Sequence, residues 1–425
     1  MNSRRLISRR NVLLGVGALA ASGVLLARKS DHGSGGHNSY FRELSQALAA
    51  AGVAQPVLVV DRARLEQNVA AAADTLRGRN LALRIVVKSL PAPRLIDEIA
   101  AKLATSRFMV FNGAMLVDTA KRGPDIDMLL GKPLPVQAAR QFYDAMLASG
   151  LDYAEPQWLI DSPERLQRYA QLARERDRPL RVSLEIDVGL HRGGAATPQA
   201  LAELVRLAQA EPKLTVSGLM GYDAHVPRVP GVEGAWRSSQ AQYAAAIEVL
   251  RGAYGERLSA LTLNAAGSPT YSMHAKGTVA GEVSVGSAFV KPLDFDLETL
   301  AHHAPASFIA TPVIKALDRA TIPGLESLTS VRRFMDPNTA RAYFIHGGHW
   351  LAQPESPPGL QFSSLYGRSS NQELLTGSTA VDLKPDDYVF FRPTQSEAVF
   401  LQFGDILVYE EGRIADRWPT FPVSA

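Results

Sequence analysis

The chain contains no cysteine. That excludes disulfides, thiol nucleophiles, iron–sulfur centres and cysteine-ligated zinc. It fixes no compartment, because an exported protein can simply lack disulfides. No Gly-rich nucleotide fingerprint follows the first strand, and no internal repeat is visible. Acids are missing from residues 1–30, which carry Arg4, Arg5, Arg9, Arg10, Arg28 and Lys29. Setting those six aside leaves 39 basic residues against 42 acidic, a net of −3 instead of +3. The basic balance therefore belongs to the N-terminus, and no nucleic-acid surface is implied. What is present is ordinary for a folded protein. Hydrophobic residues make up 46% of 425, enough for two or three domains and too many for disorder.

The N-terminus has a basic head followed by an apolar stretch from Val12 to Ala27, 16 residues long. A spanning helix needs roughly 20. Arg9–Arg10 after Ser8, with the Gly and Ala content, resembles a twin-arginine export signal over residues 1–30. The expected location is periplasmic. An uncleaved inner-membrane anchor is the alternative, since the small-x-small sequence Ala18-Leu19-Ala20 lies early in the apolar stretch. Residues 31–39 (DHGSGGHNS) are Gly/Ser-rich and read as a flexible linker.

The folded part is expected from residue 40. VLVV (57–60) is a strand, and Asp61 can cap the helix after it. Eight further apolar runs follow, at 84–88, 107–112, 126–131, 157–161, 181–187, 215–222, 260–265 and 282–289. Amphipathic helices such as SPERLQRYAQLARER separate most of them. Apolar strands alternating with helices indicate a parallel sheet covered on both faces. Eight such units predict a (β/α)8 TIM-type barrel over 40–304, with a doubly wound open sheet as the alternative. From 305 to 425, prolines and short strands predict a C-terminal antiparallel β domain.

Chemistry is expected at the carboxyl ends of barrel strands. Lys88 ends the run LRIVVK. Desolvation by Ile85, Val86 and Val87, with Arg84 near, favours the neutral amine, which is the form that attacks an aldehyde. A lysine reaching solvent from a strand end is the simpler reading of this stretch alone. Other strand ends carry Asp187, His191 and Arg192 in EIDVGLHRGG, and Tyr222, Asp223 and His225 in GLMGYDAH. The amides of Gly267 and Ser268, with the hydroxyls of Ser268 and Thr270, are suited to a phosphate.

Taken in this order, VVKS, EIDVGLHRGG, GLMGYDAH, GSPTY and GEVSVGSAF resemble the fold-type III pyridoxal-phosphate enzymes, the alanine racemase-like barrels. Within them the chain is most similar to the D-threonine aldolase and D-serine dehydratase branch, over about residues 55–410. The resemblance implies that Lys88 holds pyridoxal 5'-phosphate as an internal aldimine and that Arg192 lines the pocket near the ring. It implies that Tyr222 contacts cofactor or substrate, and that Gly267, Ser268, Thr270 and Tyr271 hold the phosphate. Ser284 falls opposite the pyridine nitrogen, where alanine racemases use arginine. The implied substrate is a small D-amino acid with a β-hydroxyl, and the implied assembly is a homodimer.

The resemblance implies a divalent metal held near the C-terminus by a His-x-Cys or His-x-Asp pair after a proline. In RPTQSEAVFLQFGD, Gln395 and Glu397 stand in those places. Glutamine is a poor ligand for a zinc-like ion and one carboxylate is seldom enough, so metal binding is disfavoured. Glu397, or Glu373 on the stretch YGRSSNQE, could replace the metal as general acid. His346 and His349 are further candidates. A racemase would need a second base, for which Tyr366 is available. A cofactor- or amino-acid-binding protein without turnover is the remaining reading.

Overall fold

In the computed structural model, residues 28–265, 267–363 and 367–423 are described. The leader up to residue 27 and Tyr366 lie outside them.

Seventeen strands occur among the described residues. The first is β1 (Val57–Asp61), buried throughout, whose last residue caps the following helix, Arg62–Leu76, by accepting a hydrogen bond from the Arg64 amide. The next eight are β2 (Ala82–Val86), β3 (Arg107–Val110), β4 (Asp127–Leu130), β5 (Gln157–Ile160), β6 (Leu180–Ile186), β7 (Leu214–Gly221), β8 (Thr262–Ala265) and β9 (Glu282–Val285). They close into a parallel barrel in chain order, with β9 pairing back onto β2. The expected barrel is present, and each of its strands overlaps one of the eight runs read from the sequence. Helices alternate with most strands because their apolar faces repeat at helical spacing. In Pro163–Glu175, Leu166, Tyr169, Ala170 and Ala173 are buried, and Ser162 caps the start. Each such Leu or Ile removed from water contributes on the order of 2 kcal/mol.

The predicted run 282–289 is longer than its strand. The strand stops at Val285, and Ser287–Val290 forms a helical turn. The run 84–88 also ends early, since Val87–Ser89 is a 3-10 turn.

The remaining strands are β10 (Ser307–Leu317), β11 (Arg341–His346), β12 (Ala352–Ser356), β13 (Gln361–Phe362), β14 (Gln372–Gly377), β15 (Tyr388–Pro393), β16 (Ile406–Glu410) and β17 (Arg413–Trp418). The order β13-β14-β11-β10 is antiparallel throughout, and β15 pairs with both β10 and β12. This is the expected C-terminal, mostly antiparallel sheet. An exception is β16, which pairs with β1 in parallel.

The chain divides into two compact units, but not at a single boundary near 304/305. One unit takes residues 28–57, 308–392 and 411–414; the barrel unit takes 58–307, 393–410 and the stretch from 415 onward. The helix Ser39–Ala50, expected with the barrel, thus belongs to the β unit, where Phe41 packs edge-on against Phe308. Within 31–39, expected as a flexible linker, His32 and His37 bond to the β unit. Asn338 accepts from the His32 amide and donates to the Ser30 carbonyl, and His37 bonds to Ser356.

Candidate active site

The strand-end residues converge on one cavity at the barrel mouth, with about 560 Å³ of empty space, open water at its entrance included. Its lining includes Lys88, Arg192, Tyr222, Gly267, Ser268, Ser284 and Glu397. Lys88 reaches it because β2 ends at Val86 and the 3-10 turn breaks the alternation of the strand. Its ammonium pairs with the Glu397 carboxylate and lies 4.8 Å from the centre of the Phe111 ring. Glu397 arrives from the segment 393–410, one residue before the 3-10 turn Ala398–Gln402.

Arg84 corrects the expectation that it sits by Lys88. Arg84 lies inside β2, whereas Lys88 lies in the 3-10 turn beyond the strand's end. Arg84 is fully buried at the barrel floor, donating to Glu282 at 2.7 and 3.1 Å, to Asp127 and to the Phe108 carbonyl. The charged neighbour of the Lys88 ammonium is therefore the Glu397 carboxylate and not the Arg84 guanidinium.

Tyr222 stands between two elements. The guanidinium of Arg192 lies 4.7 Å from the centre of its ring, a cation–π contact, and a Cβ at Gly267 would run into the ring's edge. Burial raises the Tyr222 hydroxyl above its ordinary pKa, so it is protonated at neutral pH. Arg192 leaves a loop that is shaped by Gly194, at φ +87°, where a Cβ would sit 2.7 Å from the backbone of Glu185. In the same loop Asp187 accepts from the His191 ring at 2.8 Å. Burial would raise the Asp187 carboxyl, but the hydrogen bonds from His191 and Gly189 outweigh it and lower it.

Hydroxyls cluster where the ends of β8 and β9 meet. Ser268 Oγ accepts from the Gly286 and Ala288 amides at 3.1 and 3.0 Å. Ser287 donates to Ser89 at 3.0 Å and lies 3.3 Å from Ser396. Gly286 has to be glycine, because a Cβ would come within 2.7 Å of Val86 and 2.9 Å of Ser89. Ser284 Oγ accepts from Asn264 at 2.8 Å. The charges and donors of this lining suit a phosphorylated aldehyde such as pyridoxal phosphate. Lys88 and Arg192 supply positive charge, the hydroxyls of Ser89 and Ser268 supply donors, and Gly267 and Gly286 keep side chains out of the space beside Tyr222.

Not every anticipated residue points there. Thr270 donates to Asp223 at 2.6 Å, and Asp223 in turn bonds to His274 at 2.8 Å, all three buried. The Tyr271 hydroxyl bonds to His302 and His303 at 2.8 and 2.6 Å. Their side chains brace the turn at 267–271 and do not line the cavity. Gln395 is exposed and contacts Asp294 at 3.4 Å. In the β unit, Glu373 is on the strand β14 and not on a loop; it is buried, accepts from the His349 amide and pairs with Arg368. His346 is an exposed residue at the end of β11. The lining includes neither. Among the described residues no group of three or more histidines and carboxylates gathers to hold a metal.

Ser89, which the sequence places at the start of the first loop over the site, is in the lining, whereas Met109, Phe111, Met220, Phe295 and Ser287 were missed. Ser287 follows a strand end already singled out and carried that signal. The apolar four carry none that separates them from core.

Residues 60–292 match the family model for the alanine racemase N-terminal domain. No curated protein matches the sequence. Among solved structures, D-threonine aldolase from Filomicrobium marinum superimposes with a TM-score of 0.68 at 16% identity, covering 86% of this chain and 96% of that one. D-threo-3-hydroxyaspartate dehydratase from Delftia sp. HT23 gives 0.69 at 16%, covering 86% and 97%. Alanine racemase from Clostridium difficile 630 gives 0.64 at 13%, covering 86% and 98%. At these identities the likeness is one of fold. The family match spans more than half of the sequence and goes further: the chain belongs to the alanine racemase N-terminal domain family, the fold-type III enzymes that use pyridoxal phosphate on small amino acids.

Proposed function

We propose that this chain is a pyridoxal-phosphate-dependent lyase for a small D-amino acid bearing a β-hydroxyl, of the D-threonine aldolase or D-serine dehydratase type. The observation that carries the reading is the pairing of Lys88 with one carboxylate, Glu397, inside a cavity lined for a phosphorylated ring. Glu397 stands where the branch places a metal ligand, and Gln395 beside it is too weak a donor to complete a site.

When bound, pyridoxal phosphate supplies an electron sink for negative charge developing on the substrate. The residues of the chain do the rest. Lys88 Nζ would hold the cofactor and, once freed from it, carry a proton to or from the substrate. Ser89, Ser268 and Ser287 anchor the phosphate, with Arg192 and Tyr222 fixing the ring. Glu397, released from its ion pair once Lys88 is engaged, moves the proton at the β oxygen. In dehydration it would take up a proton that Lys88 gives up and pass it to the departing hydroxyl, which leaves as water; in aldol cleavage it would accept the β-hydroxyl proton as that oxygen becomes the aldehyde carbonyl. We further propose export by the twin-arginine leader and function as a homodimer.

The test is a panel of D- and L-amino acids offered to cofactor-loaded protein, with and without chelator. Expected is keto acid or aldehyde from D-β-hydroxy substrates alone, at a rate that chelation leaves unchanged. Borohydride reduction followed by peptide mapping should find a pyridoxyl group on Lys88. No adduct there would overturn the reading. Solvent deuterium in the recovered opposite enantiomer would replace it with racemisation, and an adduct without any turnover would leave a binding protein.

A further inference from the structure

A second surface, remote from this chemistry in character, lies on the connection between β10 and β11. There the 3-10 turn Glu326–Leu328 runs into the helix Thr329–Met335. Leu325, Leu328, Val331 and Phe334 recur every three residues, so they share one side of the turn and helix. They are 53, 48, 59 and 48% exposed. Four large apolar side chains left in water within ten residues form a concentrated patch, not the scattered exposure of an ordinary surface.

The chain itself says what lies against the patch. The apolar stretch Val12–Ala27 ends one residue before Arg28. Arg28 lies 5.3 Å from the centre of the Phe334 ring. The Lys29 amide donates to the Met335 carbonyl at 2.8 Å, and its ammonium pairs with Asp336 at 2.8 Å. The chain thus emerges from its most apolar segment directly beside the apolar side chains of this helix. In the same two stretches, 28–29 and 325–336, the basic Arg28, Lys29, Arg332 and Arg333 outnumber the acids Glu326 and Asp336. Apolar residues with a basic border suit the headgroup region of an anionic bilayer.

We propose that the Leu325–Phe334 face rests on the membrane surface in which the N-terminal segment is held. The leader then acts as a retained anchor, and this helix as a second, interfacial contact that sets how the β unit meets the bilayer. The proposal is independent of the reaction, because it is read without turnover.

The absence of cysteine makes the test direct. Val331→Cys in the full chain gives one labelling site for an environment-sensitive fluorophore, and Leu147→Cys, at a side chain 80% exposed in the barrel unit, gives a comparison site. Both proteins are placed on vesicles of phosphatidylethanolamine and phosphatidylglycerol. Expected at 331 are a blue shift and loss of most of the emission on adding spin-labelled lipid, with neither at 147. Adding Leu328→Glu and Phe334→Glu should abolish both effects while the protein still floats with the vesicles through its leader. A label at 331 that stays aqueous on vesicles, or equal quenching at both positions, overturns the proposal. So does a blue shift without lipid. If it rises with protein concentration the occupant is a second copy, and if it does not, another part of the same chain covers the face.

Discussion

Arg84 on β2 and Lys88 on the turn that follows it are four positions apart in the chain, and their surroundings differ completely. Arg84 is fully buried and has Glu282, Asp127 and two carbonyls for partners. Arg107, Arg181 and Gln157 complete the same network. Lys88, with 31% of its side chain exposed, has one acid and an aromatic face. The floor spends its charges on one another, which makes them structural. At the mouth the Lys88–Glu397 pair is half exposed and outside that network, so its two charges can separate, which makes them available for chemistry.

This contrast can be broken most sharply by Lys88→Ala. Turnover should fall at least about 10⁴-fold, the upper end of what one acid–base group contributes, with no pyridoxyl adduct after reduction. The melting temperature should hardly move, because so exposed a pair is worth about 1 kcal/mol or less. Arg84→Met should do the reverse. Stranding buried Glu282 costs about 3–5 kcal/mol, read as a lower urea midpoint, while any residual folded protein keeps its adduct.

Glu397→Gln separates the two proton transfers at the mouth. Keto acid or aldehyde formation should drop roughly 10²–10³-fold, while exchange of the substrate's α proton with deuterated water persists. If both fell together, Glu397 would serve Lys88 and not the β oxygen.

The smallest effect is on acid stability. Burial alone would raise the Asp127 carboxyl, but Arg84, Gln157 and Arg181 outweigh it and hold it at about 2, against 3.8 unperturbed. A depressed carboxyl stabilises the fold fully above its unfolded value, and that stabilisation is lost as pH falls through the folded one. Thermal melts should therefore lose on the order of 2 kcal/mol between about pH 4 and 2. Glu282 is lowered in the same direction, because Arg84 outweighs its burial. In Arg84→Met the slope over that interval should flatten.

The barrel was legible because parallel strands buried on both faces write themselves as short apolar runs, and Lys88 because it interrupts one of them. The floor was not legible. Arg84, Asp127, Gln157 and Glu282 meet from four strands spread over two hundred residues, and no local pattern joins them. Thr270 and Tyr271 were placed correctly in the chain, but sequence gives no sign of which way a side chain leaves a tight turn. Their partners Asp223, His302 and His303 decided that. Chain order suggests one cut between domains, whereas 393–410 groups with the barrel unit and carries Glu397 to its mouth.

One amide joins floor to mouth. Asn264 gives one hydrogen to Glu282 and the other to Ser284, both at 2.8 Å. Glu282 is ionised and can only accept, so the orientation of the amide is settled. Ser284 must then receive on its oxygen, which leaves its own hydrogen to point elsewhere, into the space it helps to line. Whatever settles against that serine meets a donor. A heteroaromatic nitrogen would be welcomed there with its lone pair bare, and discouraged from carrying a proton of its own.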